Sequence, residues 1–133
     1  MAVTPAVPRG QRQDDPIGVV DGLIVWRGID PLQAWNAGNF NPQALSTRIA
    51  SAVFNTEELS TKASDRISLA DLRLKLPGWK FAEFTVGEAR GLGYVALRDP
   101  TEPLDVVLYS GADPNLPPAN ALPKKLSKLA RLV

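Results

Sequence analysis

Apolar residues fall in short runs along this chain, and their spacing changes character several times between Ile17 and Val133. Val19-Val20, Asp21-Gly22 and Leu23-Ile24-Val25-Trp26 predict a strand, a tight turn and a second strand that ends at Arg27-Gly28. The turn signal is Asp-Gly, because glycine takes the positive φ that a type I′ hairpin needs. Asp30-Pro31 predicts a short helix, with Asp30 as N-cap, Pro31 in the first turn, Leu32 and Trp35 on the buried side and Gly38 as the stop. Between Asn39 and Ser64 the spacing fits two readings. Ile49, Ala50, Val53 and Phe54 make a helical stripe, while Ile49, Ser51 and Val53 alternate as a strand would.

The second half is more legible. Ser68 is placed to cap a helix over Leu69–Leu76, which Pro77-Gly78 ends. Lys80 to Thr85 alternates as a half-buried strand. Thr85 and Glu88 have capping-box spacing for a helix of a turn or two that stops at Gly91 or Gly93. Tyr94 to Leu97 predicts a strand closed by Asp99-Pro100, and Leu104 to Tyr109 the most hydrophobic strand, expected at the centre of the sheet. Asp113 to Pro123 carries four prolines and reads as a loop, since proline lacks the amide donor that helices and inner strands use. A last helix is expected from Lys124 to Val133. Hairpin, short helix and strand succeed one another without regular βαβ units. The fold class predicted is therefore α+β: one compact mixed or antiparallel sheet of roughly five to seven strands, with short helices and a C-terminal amphipathic helix. Residues 1–16, with Pro5, Pro8, Gly10 and Pro16, read as a flexible N-terminal arm, and residues 17–133 as a single globular domain.

Composition narrows the chemistry. The chain of 133 residues contains no histidine and no cysteine. That removes the usual general base near neutral pH, the thiolate nucleophile and the commonest transition-metal ligands, so no metal, no cofactor and no catalytic residue is expected. A formal charge of +1 gives no global attraction to nucleic acid or to an acidic membrane surface. The N-terminal residues lack a basic flank leading into an apolar core, and no apolar run approaches membrane-spanning length, so a cytoplasmic protein is expected.

Two groups of residues are candidates for function. Lys124, Lys125, Lys128 and Arg131 lie opposite a stripe of Leu122, Leu126, Leu129 and Leu132 or Val133, a basic amphipathic pattern suited to an acidic partner protein, to RNA or to a membrane surface. The plainer reading packs the leucines on the core and leaves the lysines in water. The carboxylates at Asp14-Asp15, Glu57-Glu58 and Asp99 with Glu102 read as solvated loop charges, and Trp26, Trp35 and Trp79 as core or half-core residues.

The second group centres on Arg27. A strand arginine, then Ser46-Thr47, then an acid among Glu57, Glu58 and Glu83 follows the order used by ADP-ribosyltransferases, which the chain resembles in that respect. In them the arginine grips the cofactor phosphates and a glutamate orients the ribose. The chain departs from that pattern at Arg48, where a second serine is expected.

Arg48-Ile49-Ala50-Ser51-Ala52-Val53-Phe54, Glu58-Leu59-Ser60-Thr61-Lys62-Ala63-Ser64, Gly91-Leu92-Gly93, Asp99-Pro100 and Leu104 to Gly111 carry a second resemblance. In that order the chain is similar to a group of small bacterial proteins of uncharacterised function. Their pattern is an early strand with Arg, then Arg-x-Ser-Ser-x-x-Phe, Leu-Ser, a Gly-Leu turn, Asp-Pro and an apolar strand ending in Gly. The chain departs at Ala50, where that pattern has serine. The resemblance implies that Ser51–Phe54 and Leu59–Thr61 are strands, that Phe54 and Leu59 are core, and that Arg48, Ser51 and Ser60 gather near Arg27 as a pocket. It also implies a place in a bacterial multi-component system of defence, toxin-immunity or secretion type. The function expected is that of a small non-enzymatic domain that binds another protein. An ADP-ribosyltransferase-like nucleotide site at Arg27 and RNA or ribosome association through the basic helix stand as alternatives.

Overall fold

A computed structural model describes residues 7, 8, 10–30, 49, 51–119 and 121–133. The helix expected after Asp30, with Leu32 and Trp35, lies outside them, as do Ser46, Thr47 and Arg48. The strands are β1 (Ile24–Ile29), β2 (Leu59–Ala63), β3 (Lys80–Thr85), β4 (Tyr94–Arg98), β5 (Asp105–Ser110) and β6 (Arg131–Leu132). The helices are α1 (Leu69–Lys75), α2 (Val86–Leu92) and α3 (Ala121–Leu129), and Ser51–Phe54 forms a single 3-10 turn. The strands make one sheet in the order β4-β5-β2-β1-β3-β6, every neighbouring pair antiparallel. The expected α+β architecture is present.

Local capping chemistry sets the helices of the second half. Ser68 Oγ accepts from Asp71 N at 3.1 Å and starts α1, whose one buried residue is Leu72. In α2 the Thr85 hydroxyl accepts from Glu88 N at 3.1 Å while Glu88 Oε1 accepts from Thr85 N at 2.9 Å. Gly93 ends α2 at φ 113°, a left-handed conformation that costs glycine nothing.

The predicted hairpin does not form. Val20 is exposed, and Leu23 N donates to Val20 O in a turn, with no strand before it. The reason lies in α2: its first amides, Val86 N and Gly87 N, donate to Leu23 O and Asp21 O at 2.9 and 2.8 Å. The Asp21-Gly22 turn therefore caps a helix, and β1 finds its partners at β2 and β3. Ser51–Phe54 is the 3-10 turn and not a strand, whereas the strand expected at Leu59 is present. β5 is buried along its whole length yet lies one place in from the β4 edge; β2 and β1 are the central pair.

Two further corrections concern the termini. α3 starts at Ala121 and takes Pro123 into its first turn, where a missing N–H is tolerated. It stops at Leu129, and Arg131–Leu132 continue as β6 because the outer edge of β3 offers unpaired groups: Val133 N donates to Phe81 O at 2.9 Å and Phe81 N to Val133 O at 3.2 Å. At the other end the described residues of the arm are packed. Val7 and Arg12 are buried, Asp15 N donates to Ala96 O at 2.9 Å, and Asp14 Oδ1 accepts from Ala96 N at 2.9 Å. These contacts occupy the free edge of β4, which would otherwise be a template for another strand.

Alternation along the strands divides the core into two layers. Val25, Ile29, Leu59, Ala63, Ala82, Phe84, Tyr94, Ala96, Val106 and Leu108 face one side, beneath α2, α3, the 3-10 turn and the Val19–Leu23 loop. Phe54 meets Phe84 edge-on at 6.1 Å between ring centres. On the other side Trp26 and Phe81 pack with Ile67 and Leu72 of the α1 region, while Val107 and Tyr109 pack with Val7. That second face thus carries two separate covers, α1 over β1 and β3, and Val7 with Arg12 over β5.

Candidate functional site

Arg27 shares the face of Val25 and Ile29 on β1 and reaches the 3-10 turn. Its Nε donates to Val53 O at 3.2 Å and its Nη1 to Ser60 O at 3.0 Å. Burial lowers its pKa from the ordinary value, and the negative charge of Asp105 opposes that shift. The structure therefore brings Arg27 and Ser60 together, through a backbone carbonyl. Ser51 opens the turn that supplies the Val53 carbonyl, and Arg48 lies outside the described residues. Each acid considered as a partner for Arg27 is engaged elsewhere: Glu57 with Arg12 at 2.8 Å, Glu58 with the Tyr109 hydroxyl at 3.0 Å, and Glu83 with Trp26 Nε1 at 3.0 Å.

A cavity of about 300 Å³ opens on the second face of the sheet, where neither α1 nor the N-terminal segment covers it. Trp26, Gly28, Ser60, Lys62, Leu76, Trp79, Phe81 and Asp105 line it, with Arg27 and Thr61 on the same strands. Gly28 is required here: a Cβ would come within 2.8 Å of Trp79 Cε3, so only glycine lets the indole lie against β1. Lys62 and Asp105 are register partners across β2 and β5, and Lys62 Nζ lies 2.7 Å from Asp105 Oδ1. Burial pushes the Asp105 pKa up, and the hydrogen bond and charge of Lys62 pull against it.

A larger concavity, about 700 Å³, lies at the other end of the molecule between the end of α2, the 110–119 loop and the start of α3. Leu92, Leu116, Pro117, Ala119 and Leu122 make it apolar, and Asp113 is the only charged residue of its lining among the described residues. Leu116 stands 54% exposed there. Lys124, Lys125 and Lys128 project from α3 into solvent, with no ion-pair partner among the described residues. Lys125 follows Leu122 by about one helical turn. Arg131 is not part of this helical patch. It lies on β6 and pairs with Glu83 at 3.4 Å and Glu88 at 3.6 Å.

Several residues at these sites were invisible in the sequence. Lys62 and Asp105 are 43 positions apart and meet only through strand register. Arg12 carries no local signal, yet its side chain is fully buried, donating from Nε to Val7 O at 3.0 Å and from Nη1 to Pro114 O at 2.7 Å.

Compared with family models, curated proteins and solved structures, the chain matches none. What the structure defines, among the described residues, is an α+β domain with a six-stranded sheet and three short helices. Among the described residues no group of three or more His, Cys, Asp or Glu side chains is placed to hold a metal ion, and no helix is long and apolar enough to cross a membrane.

Proposed function

We propose that this chain is a protein-binding domain that receives an acidic, apolar-anchored segment of another protein on the surface formed by α3 and the 110–119 loop. The observation that carries the reading is an apolar groove walled by exposed Leu116 and by Leu122 of α3, a helix whose next turns present exposed Lys124, Lys125 and Lys128. These lysines have no ion-pair partner among the described residues, and Lys125 lies about one turn from Leu122. Apolar side chains from a partner would supply affinity in the groove, and carboxylates at its margin would meet the lysines, raising the encounter rate and fixing orientation. Arg27 supports the same reading from the other direction. Its N–H groups donate to Val53 O and Ser60 O, which leaves the planar fork committed to holding strands together and not to gripping a phosphate. Membership of a bacterial multi-component system rests on the resemblance described above.

Affinity capture of the tagged chain, followed by mass spectrometry, tests the reading. A protein partner should be retained by the unaltered chain and lost with Leu116→Asp, and its retention should fall as salt rises. Capture of RNA in place of protein, abolished by nuclease, would favour the alternative through the same lysines.

A further inference from the structure

We infer that Gly10 and Arg12 of the N-terminal arm act as a releasable clasp on the 110–119 loop, so that docking of the arm on β5 governs the groove beside α3. What the clasp does to binding rests on the reading of that groove as the partner surface; how it holds the loop does not.

The loop has little else to hold it. Its own bonds are local: Leu116 N donates to Asp113 O at 3.2 Å, Asn115 N to Asp113 Oδ1 at 3.0 Å, and Asp113 N to Ser110 Oγ at 3.5 Å. Among the described residues, the hydrogen bonds that join residues 112–117 to a distant part of the chain come only from the arm. Arg12 Nη1 donates to Pro114 O at 2.7 Å, and Gly10 N to Asn115 Oδ1 at 3.3 Å. Leu116, the exposed wall of the groove, directly follows these two anchored residues.

Arg12 is the junction. Its Nη1 also pairs with Glu57 at 2.8 Å, its Nε donates to Val7 O at 3.0 Å, and its guanidinium lies over the Tyr109 ring. A charged donor withdrawn from water makes a stronger bond than a neutral amide, so one side chain fixes the loop carbonyl to β5. The contact is also built to open. Gly10, Gln11 and Gln13 on either side are exposed, and Arg12 Nη2 is buried with no hydrogen-bond partner among the described residues, a cost that undocking into water removes. By linkage, a partner that favours the held loop favours the docked arm to the same extent.

NMR relaxation of backbone amides in the full chain tests this without any partner. In the unaltered chain Asn115 and Leu116 should be rigid, with order parameters of about 0.85. In Arg12→Ala and Arg12→Lys they should fall below about 0.6, because lysine lacks the planar fork that serves Val7, Pro114 and Glu57 together. Leu72→Ala, which opens a cavity under α1, should destabilise the domain and leave both amides rigid. Should both Arg12 variants fail to fold, Asn115→Ala, which cuts the Gly10 bond from the loop side, should still lower the Leu116 order parameter. In affinity capture, Arg12→Lys should retain the protein held by the unaltered chain at least about fivefold less well than Leu72→Ala does. Order parameters unchanged in the Arg12 variants, or lowered equally by Leu72→Ala, would overturn the inference. So would a loosened loop with undiminished retention. Retention indifferent to Leu116→Asp would instead refute the groove as the partner surface and leave the loop measurements in force.

Discussion

The guanidinium carbon of Arg12 lies 4.4 Å from the centre of the Tyr109 ring, with the arginine side chain wholly withdrawn from solvent. Its Nη1 pairs with Glu57 at 2.8 Å, and the Tyr109 hydroxyl donates to Glu58 at 3.0 Å. A segment that composition marks as a loose tail is thereby anchored to β5 by a stacked cation and a pair of neighbouring acids. The same burial raises the Tyr109 pKa, first by desolvation and then through Glu58.

Arg12→Ala is expected to destabilise the domain by roughly 3 kcal/mol, because it removes the buried Arg12–Glu57 pair and the donors to the Val7 and Pro114 carbonyls. Arg12→Lys should recover only part of this, since a lysine keeps the charge and loses the fork. Deleting residues 1–13 should lower the melting temperature by several degrees. Urea denaturation of the three variants measures the effect, and an unchanged midpoint for the deletion would mean that the segment contributes nothing to the fold.

Asp14 closes the β4 edge. Its Oδ1 accepts from Ala96 N at 2.9 Å and from Arg90 Nε at 3.0 Å. Asp14→Ala should cost about 1–3 kcal/mol and expose the edge amide. Light scattering against protein concentration should then show self-association that the unaltered chain lacks.

The sequence pattern was informative where the controlling contacts are local. Ser68, and Thr85 with Glu88, cap helices within three residues of themselves, and their spacing alone identifies the elements. The Asp21-Gly22 turn misleads because the partner for its carbonyls is the start of α2, more than sixty residues on. Position within the sheet follows the same rule. Hydrophobicity identifies β5 as a buried strand, but its place beside the edge follows from register with β2 and β4. Of the pocket proposed around Arg27, only Ser60 is joined to it in the described residues, because the signal read there was residue type and not strand register.

Tyr94 offers a test through pH. Its hydroxyl is buried with no hydrogen-bond partner among the described residues, and desolvation pushes its pKa up to about 12. With a folded pKa above the unfolded value, the neutral phenol is favoured in the native state. The associated stability is intact below about pH 10 and is lost as pH rises from there through about 12. Tyr94→Phe removes the orphaned hydroxyl, so it should be neutral or stabilising by up to about 1 kcal/mol near pH 7. It should also flatten the decline in stability over that alkaline window, in denaturant titrations taken at stepped pH.

The leucines of α3 separate by burial. Leu126 is fully buried, so Leu126→Ala should cost roughly 2–5 kcal/mol. Leu129 is 38% exposed, and Leu129→Ala should cost less than about 1 kcal/mol. Both are read from thermal or urea unfolding.

The account rests on the surface beside α3, and the most direct measurement is calorimetric titration of the captured partner into the unaltered chain and into the Lys124→Ala, Lys125→Ala, Lys128→Ala triple variant, at low and at high salt. The account predicts that the triple variant unfolds at nearly the temperature of the unaltered chain, because the three lysines are solvent-exposed. It also predicts that the variant binds at least about tenfold more weakly at low salt, a difference that shrinks as salt screens the charges. Equal affinity of the two proteins at low salt would contradict it, and would move the binding surface away from α3.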